Sequence, residues 1–126
     1  MIETEEALLG RDWLHFVDGD FTKASSGGHL VECDPRTGEP SFTIARGNAE
    51  DVDRAVAAAR RSQPAWRALR PVERGRILAK IAQLIREQAD MFVMVEQRET
   101  GKPRLQAASD VETAARYFEY LSLIHI

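Results

Sequence analysis

The stretch SFTIARGNAEDVDRAVAAAR, residues 41–60, changes its period partway along. In its first five residues Phe42 and Ile44 fall on one face, the two-residue repeat of a strand. From Asn48 the repeat lengthens. Val52, Ala55, Val56 and Ala59 stand at i, i+3, i+4 and i+7, the spacing of one helix face. Asn48 suits the cap of that helix, and Glu50 and Asp51 suit the positive end of its dipole. Strand signals lie before this switch and helix signals after it.

Toward the N-terminus, Trp13–Val17 leads into Asp18-Gly19 and then Asp20-Phe21-Thr22. An Asp-Gly pair between apolar runs is a hairpin signal, because both positions tolerate positive φ. Ser25–Gly28 reads as a loop and His29–Cys33 as a further strand. Asp34–Pro40 is dense in turn residues, with Pro35 presetting φ and Gly38 permitting a positive one.

Toward the C-terminus, Pro64 is expected to end the first helix. A longer helix is expected from Pro71, a residue suited to the first helical position. Its apolar stripe is Ile77, Leu78, Ile81, Leu84, Ile85, Phe92 and Val95. Gly101 supplies a C-terminal stop, and Pro103 bars continuation. A third helix is expected over Leu105–Tyr120, with Val111, Ala114, Ala115 and Phe118 on one face. The expected class is therefore α+β: antiparallel β-hairpin strands followed by three helices. No strand follows the helices. The repeated βαβ units of a complete dinucleotide-binding domain are missing.

The chain has 126 residues, 44% hydrophobic and 29% charged, an ordinary globular composition. That excludes collagen-like and disulfide-scaffold classes, and argues against disorder along the whole length. No apolar run reaches the roughly 18 residues of a membrane span. The net charge of −3 calls for neither nucleic acid nor an anionic membrane. Glu3, Glu5, Glu6, Asp12, Asp18 and Asp20 face Arg11 alone in the first twenty residues, so residues 1–10 read as a flexible acidic tail. Met1–Gly10 is acidic and has no long apolar run, so it is not expected to be a signal peptide. A single cysteine, Cys33, excludes an internal disulfide and a cysteine-rich zinc site. The expected location is cytoplasmic.

Each chemical candidate has a plainer reading beside it. A reactive thiolate wants a helix N-terminus, a cation or a base. Cys33 lies in a strand pattern beside the acidic Asp34, so it reads as structural. Gly101-Lys102 fails as a phosphate loop, because Glu96 and Pro103 occupy the places of a glycine and a Ser or Thr. His15, His29 and His125 have no ligand spacing to one another or to Cys33. Glu96 and Glu99 share a helix face, but acid–base work needs a water-excluding cleft, and Arg98 and Lys102 nearby suggest surface pairing. Arg60, Arg61, Arg67, Arg70, Arg74 and Arg76 surround Trp66. They read as partners of acids around a buried aromatic anchor rather than as a nucleic-acid patch.

Six segments, taken in order, resemble the N-terminal part of the aldehyde dehydrogenase superfamily. They are FVDGDF (16–21), DPRTGE (34–39), EDVDRAVAAAR (50–60), Trp66 with PVER (71–74), ETGKP (99–103) and DVETAARYF (110–118). The resemblance implies a full-length enzyme, a homo-oligomer, that oxidises aldehydes to carboxylates with NAD or NADP. In that family a cysteine attacks the aldehyde, a backbone NH and an asparagine hold the oxyanion, and a glutamate activates water. None of those residues maps onto this chain: they are expected beyond Ile126, and Cys33 does not match the nucleophile's motif. No catalytic, cofactor-binding or metal-binding residue is therefore expected among residues 1–126. Residues 11–120 are expected to be an incomplete part of that domain, and Leu121–Ile126 a tail outside the family pattern. The helix of Asp110–Tyr120 resembles one that borders the substrate entrance, which nominates Thr113 and Tyr117 as lining it. The alternative is a non-catalytic α+β module that binds a protein partner through the Ile77–Val95 stripe.

Overall fold

A computed structural model describes residues 12–124; the expected tail over residues 1–10, and His125 and Ile126 of the expected C-terminal tail, lie outside the described residues. The described chain falls into two compact units, 12–67 and 68–124.

The first unit holds β1 (Asp12–Trp13), β2 (His15–Val17), β3 (Asp20–Thr22), β4 (His29–Cys33), β5 (Pro40–Ala45) and α1 (Ala49–Ala68). The Asp18-Gly19 turn closes the β2–β3 hairpin, with Phe16 opposite Phe21 and φ of 59° and 90° at the two turn residues. β4 and β5 pair antiparallel around the Asp34–Glu39 turn. There the Asp34 carboxylate accepts from the Arg36 backbone NH at 2.9 Å and from its guanidinium at 2.7 Å, and Gly38 takes φ of 76°.

One strand expectation is corrected. Trp13–Val17 does not run as a single strand: it divides at Leu14, and β1 pairs parallel with β5 in a β1-β5-β4 sheet. The pairing places Trp13 beside Ile44 and sets its ring edge-on to Phe42, with centroids 6.5 Å apart. A long-range parallel pair leaves no turn signal in the sequence.

Asp51 joins the loop to the helix. Asn48 and Asp51 cap the start of α1 reciprocally: the Asp51 NH donates to Asn48 Oδ1 and the Asn48 NH to Asp51 Oδ2, both at 3.1 Å. The same carboxylate accepts from the Ser25 backbone NH at 3.0 Å and the Ser25 hydroxyl at 3.3 Å, and pairs with Arg54 at 2.8 Å. Burial pushes the Asp51 carboxyl up, but these donors prevail and hold it below its ordinary value.

The second unit is helical: α2 (Pro71–Glu87), α3 (Ala89–Thr100) and α4 (Arg104–Ile124). The expected three helices are thus four, for two reasons. The expected second helix is interrupted at Gln88, where φ is −113° and ψ is 20°. Its apolar stripe skips the turn between Ile85 and Phe92, where Glu87, Gln88 and Asp90 are exposed. Pro64, expected to end the first helix, instead lies inside α1. Good helix formers around it absorb the one backbone hydrogen bond it removes. The helix stops only before Pro71, where Arg70 is extended with ψ of 148°. The last helix also runs past the expected Tyr120 to Ile124.

The buried positions of this unit are small: Gly75, Ala82, Ala107 and Ala115, with Val93 the largest. At Gly75 a Cβ would stand 2.7 Å from the Ser122 carbonyl oxygen. Larger apolar side chains, among them Ile77 and Leu84 of the expected stripe, remain partly exposed.

Two outcomes test this reading. Gly75→Ala should lower the thermal midpoint. The helix-propensity gain is about 1 kcal/mol, while overpacking against backbone costs about 1–3 kcal/mol. A raised midpoint would refute the close approach. Asp51 has a depressed value in the folded state, so its contribution is present above the ordinary aspartate value and fades as pH falls through the folded one. Asp51→Asn should therefore be less stable than wild type to urea at neutral pH, and the gap should close in acid.

Candidate functional site

The most chemically varied region joins α3 to α4. Gly101 ends α3 in the left-handed conformation, with φ of 71° and its NH on the Gln97 carbonyl. Gly101-Lys102 is thus a helix stop, as its sequence suggests. Pro103 immediately precedes α4, and the Ala107 NH donates to the Pro103 carbonyl at 3.1 Å.

This tight turn brings Lys102 between two acids. Its ammonium donates to Glu96 Oε1 at 2.5 Å and Asp110 Oδ2 at 2.8 Å. The Asp110 and Glu96 carboxylates together hold the ammonium proton more firmly than in a free lysine. Arg104 adds a second tie, to Asp90 at 2.7 Å. Beside the bridge lies a groove of about 390 Å³. Phe92 and Val95 of α3 and Val111 of α4 form its floor, with Glu96, Glu99 and Asp110 along it. The carboxylate pair picked out by spacing, Glu96 and Glu99, therefore shares one wall. The groove is open, and Glu96 is committed to Lys102, so the pair lacks the enclosure that acid–base catalysis needs.

Thr113 and Tyr117 lie one turn apart on α4, both exposed. The Thr113 hydroxyl donates to the Ser109 carbonyl at 2.8 Å, and the Tyr117 ring is not drawn into the groove. Sequence reasoning missed Arg86. Its guanidinium reaches Glu112 at 3.0 Å and Glu119 at 2.6 Å, tying α2 to α4. Arg86 depresses both glutamates, with Arg116 assisting at Glu112. The available signal was the seven-residue spacing of Glu112 and Glu119, which places two acids on one helix face.

The remaining candidates are scattered. Cys33 is exposed at the end of β4, beside a register irregularity. His29 is exposed, whereas His15 has a buried Nε2 with no hydrogen-bond partner. Among the described residues no three His, Cys, Asp or Glu side chains gather as metal ligands, and no helix is long and apolar enough to cross a membrane. In the basic run, Arg61 pairs with Asp18, and Arg70 with Glu73, both at 2.8 Å. Trp66 is 38% exposed, not the buried anchor expected.

The start of α1 is not built as a phosphate cradle. The strand–turn–helix that comes nearest is β5 leading into α1, where a phosphate would need the free amides of the helix start. There the Asp51 amide donates to Asn48 Oδ1, and the Asp51 carboxylate, accepting from the Asn48 amide, places negative charge.

Residues 21–123 match the model of the aldehyde dehydrogenase family. The fold is also similar to several solved structures. HpcC from Thermus thermophilus superposes with a TM-score of 0.90 and 33% identity, covering 94% of this chain and 23% of that one. An NAD-dependent aldehyde dehydrogenase from Sinorhizobium meliloti gives 0.86 and 30%, covering 97% and 25%. PnpE from Pseudomonas sp. WBC-3 gives 0.85 and 38%, covering 89% and 23%; PnpE has also been solved with nicotinamide adenine dinucleotide bound. The chain spans about a quarter of the length of these structures.

The Lys102 bridge predicts a local effect. Lys102→Met should speed amide hydrogen exchange in α3 and leave α2 unchanged, because it removes a tie between α3 and α4 alone. The lysine value is raised in the fold, so in wild type the protection should persist through the ordinary lysine range and fade only at higher pH. Uniform exchange across α2 and α3 in the variant would show that the bridge holds nothing locally.

Proposed function

The chain belongs to the aldehyde dehydrogenase family, and from that premise we propose that it is the N-terminal part of an enzyme oxidising an aldehyde to a carboxylate with NAD or NADP. The observation that carries this reading is the HpcC superposition: 94% of this chain is matched, against 23% of that structure. In this reading the chain supplies scaffold. The nucleophile, the base and the cofactor cradle come from elsewhere in the enzyme. Supporting this, Cys33 stands exposed at a strand end, Glu96 is engaged by Lys102, and the start of α1 is closed to phosphate by Asp51.

Thr113 and Tyr117 take the role of lining the substrate entrance. Their support is their exposure and their one-turn spacing on a single face of α4. The reading extends to a cytoplasmic homo-oligomer. The exposed Leu105, Tyr120 and Leu123 support burial against further protein, and the lone free Cys33 suits a reducing compartment.

Two measurements test the proposal. The purified 126-residue chain, given short or bulky aldehydes with NAD or NADP, should produce no reduced nicotinamide; turnover would overturn the division of labour. In the enzyme containing this segment, Thr113→Trp should lower kcat/KM for bulky aldehydes relative to short ones by roughly tenfold, about 1.4 kcal/mol. An unchanged ratio would remove Thr113 from the entrance.

A further inference from the structure

The turn of the β2–β3 hairpin combines three features. Asp18 is the only aspartate in the sequence followed by glycine. Among the described residues it is the one non-glycine position with positive φ, at 59°, and Gly19 follows at 90°. Its side chain is 57% exposed, and one partner holds it: Arg61 of α1 donates to Asp18 Oδ2 at 2.8 Å, across 43 residues of sequence.

We propose that Asp18–Gly19 is a site of spontaneous aspartyl isomerisation, and that the Arg61 ion pair sets its rate. In the reaction the Gly19 amide nitrogen bonds to Asp18 Cγ. The amide proton and one carboxyl oxygen, with a second proton, leave as water, and a succinimide forms. Water then opens the ring. Opening at Cγ restores aspartate. Opening at the main-chain carbonyl leaves the chain running through Cγ, with a free α-carboxylate. Mass is unchanged overall, and no oxidant or cofactor takes part.

Glycine is the following residue that hinders this attack least, since it has no side chain beside the nitrogen and the most backbone freedom. Arg61 opposes the reaction by fixing the Asp18 carboxylate against α1 instead of leaving it to swing toward the Gly19 nitrogen. The pair is exposed and individually weak, so the guard is partial. The product matters to the fold because isoaspartate adds a methylene to the main chain. A two-residue turn cannot absorb that atom and keep His15 opposite Thr22, Phe16 opposite Phe21 and Val17 opposite Asp20.

The test is to age the full chain at neutral pH and body temperature and map isoaspartate by digestion with an endoprotease that cleaves at aspartate but not at isoaspartate, alongside isoaspartyl methyltransferase labelling. Wild type, Arg61→Ala and wild type in denaturing urea are compared. Isoaspartate should accumulate at residue 18 ahead of every other aspartate, several-fold faster in Arg61→Ala than in wild type, and fastest in urea. Equal rates in wild type and Arg61→Ala would overturn the guard. Absence of isoaspartate at residue 18 from both folded proteins would overturn the site.

Discussion

A Cβ on residue 75 would stand 2.7 Å from the Ser122 carbonyl, and the helical unit is arranged around that proximity. Helices that come so close have room only for hydrogen, methyl and little else between them. Gly75, Ala82, Ala107 and Ala115 occupy those places accordingly. Small side chains contribute little apolar area each, so the contact is reinforced at its rim. Arg86 spans from α2 to Glu112 and Glu119, and Lys102 spans from the α3–α4 turn to Glu96 and Asp110. Both bridges stand where helix backbones already lie near each other. They pin relative orientation more than they add stability, since exposed ion pairs contribute little individually.

Unit 12–67 solves a different problem with a similar device. Its helix starts at a loop that has no regular structure, and one carboxylate, on Asp51, closes both. It satisfies amides at the helix start and at Ser25 together. The charge that makes this effective also makes the helix start unsuited to phosphate. The same residue therefore supports the local fold and sets the charge at the helix start.

Much of this architecture was legible in the residues, and the exceptions share a cause. The Asp18-Gly19 hairpin, the Asp34–Glu39 turn, the start of α1 at Asn48 and the stop at Gly101 are local, each decided by a few neighbouring side chains. The break at Gln88 and the persistence of α1 through Pro64 depend on which turns find packing partners. The parallel β1–β5 pair depends on residues far apart along the chain. At the candidate site, Lys102 and Glu96 lie close enough in sequence for their pairing to be read. Asp110 joins them only because the turn folds α4 back, and Arg86 meets its glutamates only across a helix–helix contact. The spacing of Thr113 and Tyr117 on one helix face is plain in the sequence. Membership of the aldehyde dehydrogenase family was legible for a different reason: six ordered segments constrain one another far more than any one of them constrains itself.

The smallness of the buried side chains has a calorimetric consequence. Among the described residues no large side chain is fully enclosed. The heat-capacity increment of unfolding comes chiefly from hydrating apolar surface that was dry in the native state. With alanine as the main enclosed residue that increment is small for the chain's length. A small increment flattens the stability curve, so stability changes little with temperature around its maximum.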